Sequence, residues 1–351
     1  MDTILVIGGA GYIGSQTCKT LLKAGFLPVT YDNLSTGHAY AVKWGPFVQG
    51  DLADKGKLAE TIRSFKPVAV LHFAADASAV ESMHHPGKYY RNNVAGTLSL
   101  LEVMRDEGLL NLVFSSTCAT YGNPQYNPIT EEHPQLPISP YGRSKLIAEQ
   151  MMADFDTAHE LKTVTLRYFN AAGADLETHL GENHTPETHL IPCIIQVALG
   201  LKEEIVVYGT DFPTRDGSAI RDYIHVQDLA DAHVLALQHL LANRKSLQIN
   251  LGTGVGTSVL ELIDAVQKFC GKTVTVRLEQ RRAGEPAMLA ADNKKAKEIL
   301  GFSPQHSSLP VIIESAWKWH QLLLDNAAIL KTTMQRLEEH KGSQCSPSPS
   351  S

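Results

Sequence analysis

Two residues near the middle of the chain have the types and the spacing needed for base catalysis. Tyr141 and Lys145 lie four residues apart at the start of a predicted helix, 141–158, so their side chains share one helical face. A tyrosine has an unperturbed pKa of about 10, too high for a base near neutral pH. A neighbouring ammonium lowers that pKa by stabilising the phenolate, so the pair could remove a proton from a substrate hydroxyl. Alone, the same spacing also describes a tyrosine packed beside a surface lysine.

A threonine is a third candidate for this chemistry. Thr117 ends the predicted strand 112–117, and ligands of parallel sheets collect at the carboxyl ends of the strands. Its hydroxyl could form a short hydrogen bond to the reacting oxygen of a substrate. The alternative is a strand-end threonine that bonds to its own backbone.

A glycine-rich turn near the N-terminus predicts a dinucleotide site. Residues 8–14 read Gly-Gly-Ala-Gly-Tyr-Ile-Gly, where an apolar run at 3–9 ends and a predicted helix at 12–24 begins. Glycines let the backbone approach a pyrophosphate, which the helix N-terminus stabilises. Asp32 follows about 20 residues on, as expected for a ligand of the ribose 2′-hydroxyl that would repel a 2′-phosphate. NAD is therefore favoured over NADP. Asp51 could contact the adenine or simply form a turn.

The elements that must position these groups alternate between apolar strands and amphipathic helices. The predicted strands of the first half are 3–9, 27–32, 46–51, 69–75, 112–117 and 164–169, and the predicted helices are 12–24, 89–107 and 141–158. Nearly continuous apolar strands separated by helices predict a parallel sheet covered on both faces. The expected fold is α/β, a Rossmann-type doubly wound parallel sheet with a smaller mixed α/β substrate-binding lobe.

The second half of the chain predicts that smaller lobe. A polar segment at 171–192, rich in Gly, Glu and His, is typical of a long functional loop. We expect an NAD-binding domain at 1–170 and about 222–255, and a lobe built from about 171–221 and 256–340. The last residues, 341–351, predict a disordered tail.

Composition excludes several classes of function. The 351 residues carry a net charge of −6, so no overall basic field is available to hold a nucleic acid or an anionic membrane. The five cysteines are widely spaced without a CxxC pair, which is typical of neither a disulfide framework nor a structural zinc site. No apolar stretch approaches the ~20 residues of a membrane span, and no secretory signal is evident. We expect a cytoplasmic protein with reduced thiols.

Together these motifs resemble the extended short-chain dehydrogenase/reductase family, the NAD-dependent epimerases and dehydratases. Further segments carry the resemblance over nearly the whole chain: 31–34 (YDNL), 92–94 (NNV), 167–170 (RYFN), 221–226 (RDYIHV) and 281–285 (RRAGE). Within the family the chain most resembles the UDP-glucose 4-epimerases. The resemblance implies that Tyr141 takes the proton of a UDP-hexose 4-hydroxyl while C4 gives hydride to tightly bound NAD. The 4-keto sugar then rotates, and hydride returns to its opposite face, which interconverts UDP-glucose and UDP-galactose.

The resemblance also implies the residues that hold each ligand. Those implied for NAD are Gly8, Gly11, Tyr12, Ile13, Gly14, Asp32, Asn33, Asp51, Leu52, Phe73, Ala74, Asn92, Thr117, Tyr141, Lys145 and Tyr168. Those implied for the UDP-sugar are Thr117, Tyr141, Asn170, His189, Leu190, Val206, Val207, Tyr208, Arg221, Arg282, Glu285 and Met288. Among these, Arg221 and Arg282 offer guanidinium groups whose paired N–H donors suit a diphosphate. The segment 206–208 would line a uracil pocket.

Departures from the family pattern leave some roles open. His189 stands where many relatives have an asparagine, so a side-chain role for it is uncertain. His179, His184 and His189 are spaced by five, which puts no two on one helical face. We therefore expect solvated loop histidines and no metal. Met288, at a position that bounds the sugar pocket in the family, is flexible enough to leave open whether N-acetylated sugars are accepted.

Several alternatives stay open or are disfavoured. Dehydratases and decarboxylases of the family usually carry an acidic residue after the active-site Ser or Thr, whereas Cys118 and Ala119 follow here. A 4-epimerase of UDP-xylose/UDP-arabinose or of UDP-GlcNAc/UDP-GalNAc remains possible. A non-catalytic NAD-binding protein would typically have lost the tyrosine–lysine pair. The resemblance further implies a homodimer joined by the helices at 89–107 and 141–158.

Overall fold

The computed structural model describes residues 1–282 and 285–343, with side chains described as far as residue 327. The strands are β1 (Thr3–Ile7), β2 (Leu27–Asp32), β3 (Phe47–Gln49), β4 (Ala69–His72), β5 (Asn111–Thr117), β6 (Lys162–Tyr168), β7 (Asn170–Ala172), β8 (Ile205–Tyr208), β9 (Ile220–His225), β10 (Leu247–Leu251), β11 (Gly256–Ser258), β12 (Val276–Glu279) and β13 (Met288–Leu289). The helices are α1 (Tyr12–Lys23), α2 (Lys55–Phe65), α3 (Ala79–His84), α4 (Pro86–Tyr89), α5 (Gly96–Asp106), α6 (Pro140–His159), α7 (Leu190–Ala198), α8 (Val226–Asn243), α9 (Val259–Cys270), α10 (Lys294–Leu300) and α11 (Leu309–Ser343).

Seven parallel strands form the central sheet, in the order β10-β6-β5-β4-β1-β2-β3. From β1 the chain builds outward to β2 and β3, then returns to place β4, β5 and β6 on the other side. The point between β1 and β4 is therefore the topological switch point, where open α/β sheets bind ligands at their carboxyl ends. The predicted Rossmann-type α/β fold is confirmed.

Two apolar layers cover the two faces of the sheet. Successive side chains of a strand point to opposite faces, so Ile4 and Val6 of β1 enter one layer while Leu5 and Ile7 enter the other. The first layer includes residues of α1 and α8, and the second includes residues of α2, α5 and α6. All four of these strand side chains are buried, which explains why β1 lacks the polar alternation of a half-exposed strand.

The start of α6 is fixed by its local sequence. The hydroxyl of Ser139 accepts a hydrogen bond from the backbone nitrogen of Gly142 at 3.1 Å, and Pro140 occupies the first helical turn. Such a cap typically contributes about 1 kcal/mol, and proline at this position is already in a helical backbone conformation. The cap therefore sets the first turn of α6, which contains Tyr141.

A separate apolar core lies in the second half of the chain. It is formed by residues of α7, β8, α9 and α11. Two small sheets accompany it: β11-β9-β13 with β7 beside β9, and β12 beside β8. This separate core supports the predicted division into an NAD-binding domain and a smaller lobe, whose boundaries stay a prediction.

Some sequence predictions were wrong in detail. The predicted continuous helix 89–107 is divided, because residues 90–95 adopt a π-helical turn between α4 and α5. The side chain of Asn93, within that turn, donates to the carbonyl of Asp76 and to the hydroxyl of Ser144, both at 3.0 Å. These bonds tie the turn to a loop and to α6, and π-turns of this kind occur at functional sites.

Other elements were missed by the sequence predictions, namely α2, α3, β7, β9, β11, β13, α10 and the long helix α11. The last of these continues to Ser343, three residues into the predicted tail, and the rest of that tail, 344–351, lies outside the described residues. None of the helices within the described residues combines the length and the apolar character required to cross a membrane. The cysteines of the described part, at 18, 118, 193 and 270, are free thiols.

Candidate active site

A cleft of about 450 Å³ runs along the carboxyl ends of the central strands. Its walls come from the β1–α1 turn, the ends of β2, β4 and β5, and the segments that follow β6. This volume lies within the ≈ 300–1,000 Å³ of ligand pockets. The cleft occupies the switch point of the sheet, so topology and shape identify the same place as the ligand site.

The residues predicted to hold NAD all line this cleft: Gly8, Gly11, Tyr12, Ile13, Gly14, Asp32, Asn33, Asp51, Leu52, Phe73, Ala74, Asn92, Thr117, Tyr141, Lys145 and Tyr168. They come from separate stretches of sequence that meet because parallel strands end at one edge. The structure thus brings together the glycine turn, the two aspartates and the tyrosine–lysine pair.

The glycine turn has no room for a side chain at Gly14, where the first turn of α1 packs against the backbone of Gly8. A Cβ on Gly14 would lie 2.2 Å from the carbonyl oxygen of Gly8, whereas one on Gly11 would meet only that oxygen, at 3.4 Å. Gly8 itself has φ +81°, a left-handed conformation that favours glycine. The turn packs its backbone against the helix and leaves the space above Gly11 open, as an approaching pyrophosphate requires. The residues present therefore fit a dinucleotide.

Asp32 has a structural task beside the predicted one. Its carboxylate accepts hydrogen bonds from the backbone nitrogens of Ala10, at 2.9 Å, and Leu34, at 2.8 Å. The side chain ties the glycine turn to the end of β2, and each carboxylate oxygen keeps a further lone pair for a ribose hydroxyl. Asp51 receives the Asn33 amide at 2.7 Å and the Ala53 backbone nitrogen at 2.8 Å, so it also acts as a turn residue.

The three residues predicted to do chemistry all line the cleft. Tyr141 and Lys145 project from the first turns of α6, and Thr117 ends β5. The ammonium of Lys145 donates to the backbone carbonyl of Ser115 at 2.8 Å. Thr117 Oγ1 accepts from the backbone nitrogen of Ala119 at 3.1 Å, as the backbone-bonding alternative expects, and its bond to a substrate oxygen stays a prediction.

Burial shifts the titration of these groups. Desolvation raises the pKa of Tyr141 well above its ordinary value, and the hydroxyl of Thr117 partly opposes that rise. Desolvation also lowers the pKa of Lys145 to about 7, against the attraction of the Glu149 carboxylate. The pKa of Tyr168 rises to about 12, again through burial. In this environment a phenolate at Tyr141 needs a nearby positive charge.

The residues predicted to bind the UDP-sugar divide into two groups. Five of them line the cleft: Thr117, Tyr141, Asn170, His189 and Arg221. The others do not line it: Leu190, Val206, Val207, Tyr208, Arg282, Glu285 and Met288. Strand alternation turns the side chain of Val207 into the core of the second lobe, while Val206 and Tyr208 face the other way, and the uracil pocket at 206–208 stays a prediction. Only the backbone of Val207 remains available to a ligand.

The residues that do not line the cleft make contacts within the second lobe or with Arg221. Glu285 Oε1 receives Arg221 Nη2 at 3.0 Å, while the guanidinium of Arg282 lies 3.8 Å from the ring centre of Tyr208. Leu190 begins α7 and packs against the second core, and Met288 begins β13. Of the 281–285 motif, Ala283 and Gly284 lie outside the described residues. Arg221 thus connects the cleft with Glu285.

Sequence reasoning missed several residues that line the cleft, namely His38, Tyr40, Glu182, Asn183 and His184. The polar run after Asp32 and the Gly-Glu-Asn-His run at 181–184 were the available signals. The expectation of solvated loop histidines did not include the contacts of His184 and His189, whose rings lie 5.2 Å apart and whose Nδ1 atoms contact two glutamates. Helical spacing does not apply to them because the segment is a loop.

Comparison with known proteins agrees with this geometry. Residues 4–252 match the NAD dependent epimerase/dehydratase family. A UDP-glucose 4-epimerase of Rhizobium meliloti (strain 1021) is 52% identical over 319 residues, covering 91% of this chain and 97% of that protein.

Solved structures give the same result. The UDP-glucose 4-epimerase of Brucella ovis in complex with NAD is 53% identical, covers 91% of this chain and 98% of its own, and superposes with a TM-score of 0.89. That of Stenotrophomonas maltophila, with bound NAD and formylated UDP-arabinopyranose, is 42% identical with a TM-score of 0.90 and covers 93% and 100% of the two chains. The predicted family is confirmed, and this chain belongs to the NAD-dependent epimerase/dehydratase family.

Proposed function

We propose that this protein interconverts UDP-glucose and UDP-galactose by oxidising and re-reducing C4 of the hexose. The observation that carries the proposal is that Tyr141, Lys145 and Thr117 line the same cleft as the glycine turn and Asp32. The chain is also half identical, over nearly its whole length, to proteins named UDP-glucose 4-epimerase. A dinucleotide cleft alone would be compatible with many reactions.

The cofactor residues act by holding and orienting. The backbone of the glycine turn would lie against the pyrophosphate of NAD, and Asp32 would accept from a ribose hydroxyl. Bound NAD would take up a hydride and return it, so that no net oxidation results. The protein must keep water and other acceptors away from the sugar during that interval, and burial of Tyr141 and Lys145 supports such exclusion.

Tyr141 is proposed to accept the proton of the sugar 4-hydroxyl. Its high pKa in the protein is set mainly by desolvation, so proton acceptance requires positive charge close by. Lys145, on the same face of α6, would supply that charge. Thr117, whose hydroxyl lies within reach of Tyr141, would hold the sugar oxygen during the transfer. After the sugar has turned, hydride would return to the opposite face of C4 while Tyr141 gives its proton back to the 4-oxygen, so the configuration at C4 would be inverted.

Inversion requires that the protein bind UDP tightly and the hexose weakly. Binding energy from the nucleotide, remote from C4, can fix the complex while the 4-keto sugar turns about its bond to the diphosphate. Arg221 and Asn170 line the cleft and are proposed to hold the diphosphate. Arg282, Glu285 and the backbone of 206–208 would hold the nucleoside after a modest closure of the second lobe. Roles for His189, Leu190 and Met288 remain predictions.

A pentose substrate is the second candidate. The chemistry at C4 is the same for UDP-xylose and UDP-arabinose, and one structural relative contains a formylated UDP-arabinopyranose. UDP-GlcNAc would require more room beside Met288, whose side chain is flexible. The absence of a carboxylate at Cys118 and Ala119 continues to disfavour the dehydratases and decarboxylases.

The test is conversion without added cofactor. Purified protein is incubated with UDP-galactose, and UDP-glucose is followed by NMR, with UDP-xylose and UDP-GlcNAc in parallel. Product from the wild type and almost none from Tyr141→Phe would support both the reaction and the base. Tyr126→Phe, an exposed loop tyrosine, is the matched control and should remain active. A folded wild type that makes no UDP-glucose even with NAD added would refute the proposal.

We also propose that the protein is a cytoplasmic homodimer. Helices α5 and α6, which correspond to the implied dimer helices, both carry partly exposed apolar residues, such as Leu98 and Met151. Light scattering at micromolar concentration should give twice the mass of one chain. A monomer under those conditions would contradict the proposed homodimer.

A further inference from the structure

Four side chains of the loop between β7 and α7 converge on one point. Glu182, His184, Glu187 and His189 each offer one nitrogen or oxygen, and these four atoms all lie within 4.8 Å of one another. The four residues occupy an E-x-H-x-x-E-x-H segment, which we call the His/Glu cluster. Three members of the cluster, Glu182, His184 and His189, line the same cleft as the catalytic residues.

The separations match a compact four-ligand metal site. Nδ1 of His184 lies 3.3 Å from a Glu182 oxygen and 3.7 Å from one Glu187 oxygen, and Nδ1 of His189 lies 3.4 Å from the other Glu187 oxygen. Tetrahedral bonds of ~2.0–2.1 Å to one ion place neighbouring ligands about 3.4 Å apart. The fourth contact, His189 Nδ1 to Glu182 at 2.6 Å, would open by a fraction of an ångström around an ion.

The charges of the cluster require compensation. The side chains of Glu182 and Glu187 are only 7% and 4% exposed, and buried carboxylates need a cation close by. Within the described residues, the ion-pair partners of both are His184 and His189, with no lysine or arginine in contact. A divalent ion with two neutral imidazoles would make the cluster neutral.

Two further features indicate ligands rather than a simple hydrogen-bonded pair. Nδ1 of His184 is buried and has no hydrogen-bond partner among the described residues, although two carboxylates stand close to it. The backbone nitrogens of Thr188 and His189 hold one oxygen of Glu187, at 2.8 and 2.9 Å, which orients the carboxylate. Outer bonds of this kind orient metal ligands.

We propose that Glu182, His184, Glu187 and His189 bind one Zn²⁺ as a closed structural site. Two imidazoles with two carboxylates suit zinc, whereas calcium and magnesium take sets of oxygen ligands. Half-exposed imidazoles leave the ion an entry path. The inference is independent of the reaction proposed above, because none of its evidence concerns the sugar.

The ion would fix the loop between β7 and α7 in its position at the wall of the nucleotide cleft. The backbone carbonyl of Asn183, between two ligands, accepts a hydrogen bond from His38 Nε2 at 2.8 Å, and its side-chain amide donates to the hydroxyl of Tyr40 at 3.1 Å. These two partners line the same cleft after β2. The backbone of Glu182 is fixed by a further contact, because Trp319 Nε1 donates a hydrogen bond to its carbonyl oxygen at 2.9 Å. Zinc would thus connect the cleft wall, this loop and the start of α7.

The experiment measures metal directly on tag-free protein purified without chelator. Elemental analysis should find about one zinc per chain in the wild type and a near-complete loss in the His184→Ala/His189→Ala variant. His179→Ala is the matched control, because His179 lies in the same loop but outside the cluster, and it should keep its zinc.

A second measurement needs no variant. Wild type stripped with a chelator should bind one equivalent of Zn²⁺ in calorimetry, gain thermal stability on zinc addition, and show the visible absorption of tetrahedral Co²⁺ after cobalt loading. Zinc retained by the double variant would overturn the proposal. So would a stripped, folded wild type that binds neither ion, in which case protons on the imidazoles neutralise the carboxylates.

Discussion

The ammonium of Lys145 is bonded to the backbone carbonyl of Ser115 at 2.8 Å, two residues before Thr117 on the same strand. The ring centre of Phe114 lies 4.7 Å from the same nitrogen. This position holds a buried cation one helical turn from Tyr141, between α6 and β5. The bond therefore fixes the charge on which proton transfer at Tyr141 is proposed to depend.

Replacing this cation should slow catalysis and change its pH dependence. In Lys145→Met the phenolate of Tyr141 loses its nearest positive charge, so kcat should fall by about 10²–10⁴-fold, the usual range for acid–base assistance. The remaining activity should require higher pH. Steady-state rates from pH 6 to 10 measure this, with the exposed Lys268→Met as control. An unchanged profile in Lys145→Met would contradict the assigned role.

The same substitution should alter stability in a defined direction. The folded-state pKa of Lys145 is about 7, below the ordinary 10.5 of an unfolded chain. Between these values the unfolded state binds more protons, so stability attributable to this group rises with pH and is lost as pH falls toward 7. Lys145→Met should therefore be most stabilising, relative to wild type, near and below pH 7. Urea unfolding without ligand gives the free energy of unfolding of both proteins, and the difference between them should be smaller at pH 10 than at pH 7.

Two glycines of the turn should respond differently to alanine. In Gly14→Ala the new methyl would lie 2.2 Å from the carbonyl of Gly8, and backbone must move, so the melting temperature should fall by several degrees. In Gly11→Ala the nearest atom is 3.4 Å away, so folding should be retained while NAD binding weakens. Thermal unfolding and NAD titration separate the two effects. Equal loss of stability in both variants would contradict this account.

Sequence succeeded where function depends on short segments at strand ends. The glycine turn, Asp32, Thr117 and the Tyr141–Lys145 pair each follow from local pattern, and the parallel sheet brings their strand ends to one edge. The second lobe was harder to predict. The position of Val207, with its side chain in the core, depends on a strand register that local sequence does not specify.

The His/Glu cluster was missed for a different reason. Spacing by five excludes a shared helical face, but a loop stabilised by outside contacts obeys no such period. The bond from Trp319 to the carbonyl of Glu182 crosses 137 residues of sequence. The ion pair of Arg167 with Glu149 is equally non-local, since it joins β6 to α6 and neither residue is conspicuous in its own segment.

Arg221 should affect binding more than chemistry. Its guanidinium lines the cleft and donates to Glu285 at 3.0 Å, so a diphosphate would enter an already oriented fork. Arg221→Gln should raise KM for UDP-galactose by ten-fold or more, roughly the effect of 1.4 kcal/mol, with a smaller change in kcat. The exposed Arg63→Gln, paired with Glu107 far from the cleft, is the control. A fall in kcat at unchanged KM would assign Arg221 to the chemical step.

The buried pair of Arg167 and Glu149 should be the most sensitive structural support of the site. Arg167 Nη2 lies 2.7 Å from Glu149, its Nη1 donates to the hydroxyl of Tyr121 at 2.9 Å, and both charged side chains are less than a tenth exposed. Glu149 follows Lys145 by one turn of α6, so the pair clamps the catalytic helix to β6. Arg167→Met leaves the carboxylate buried without its partner and should lower the free energy of unfolding by about 3–5 kcal/mol.

A double variant distinguishes this pairing from simple loss of packing. In Arg167→Met/Glu149→Leu no buried charge remains, so most of the lost stability should return. Urea unfolding of the wild type, both single variants and the double variant gives the coupling energy. If the two single losses simply add, the pair is not coupled, and the position of α6 must be maintained by its apolar contacts alone.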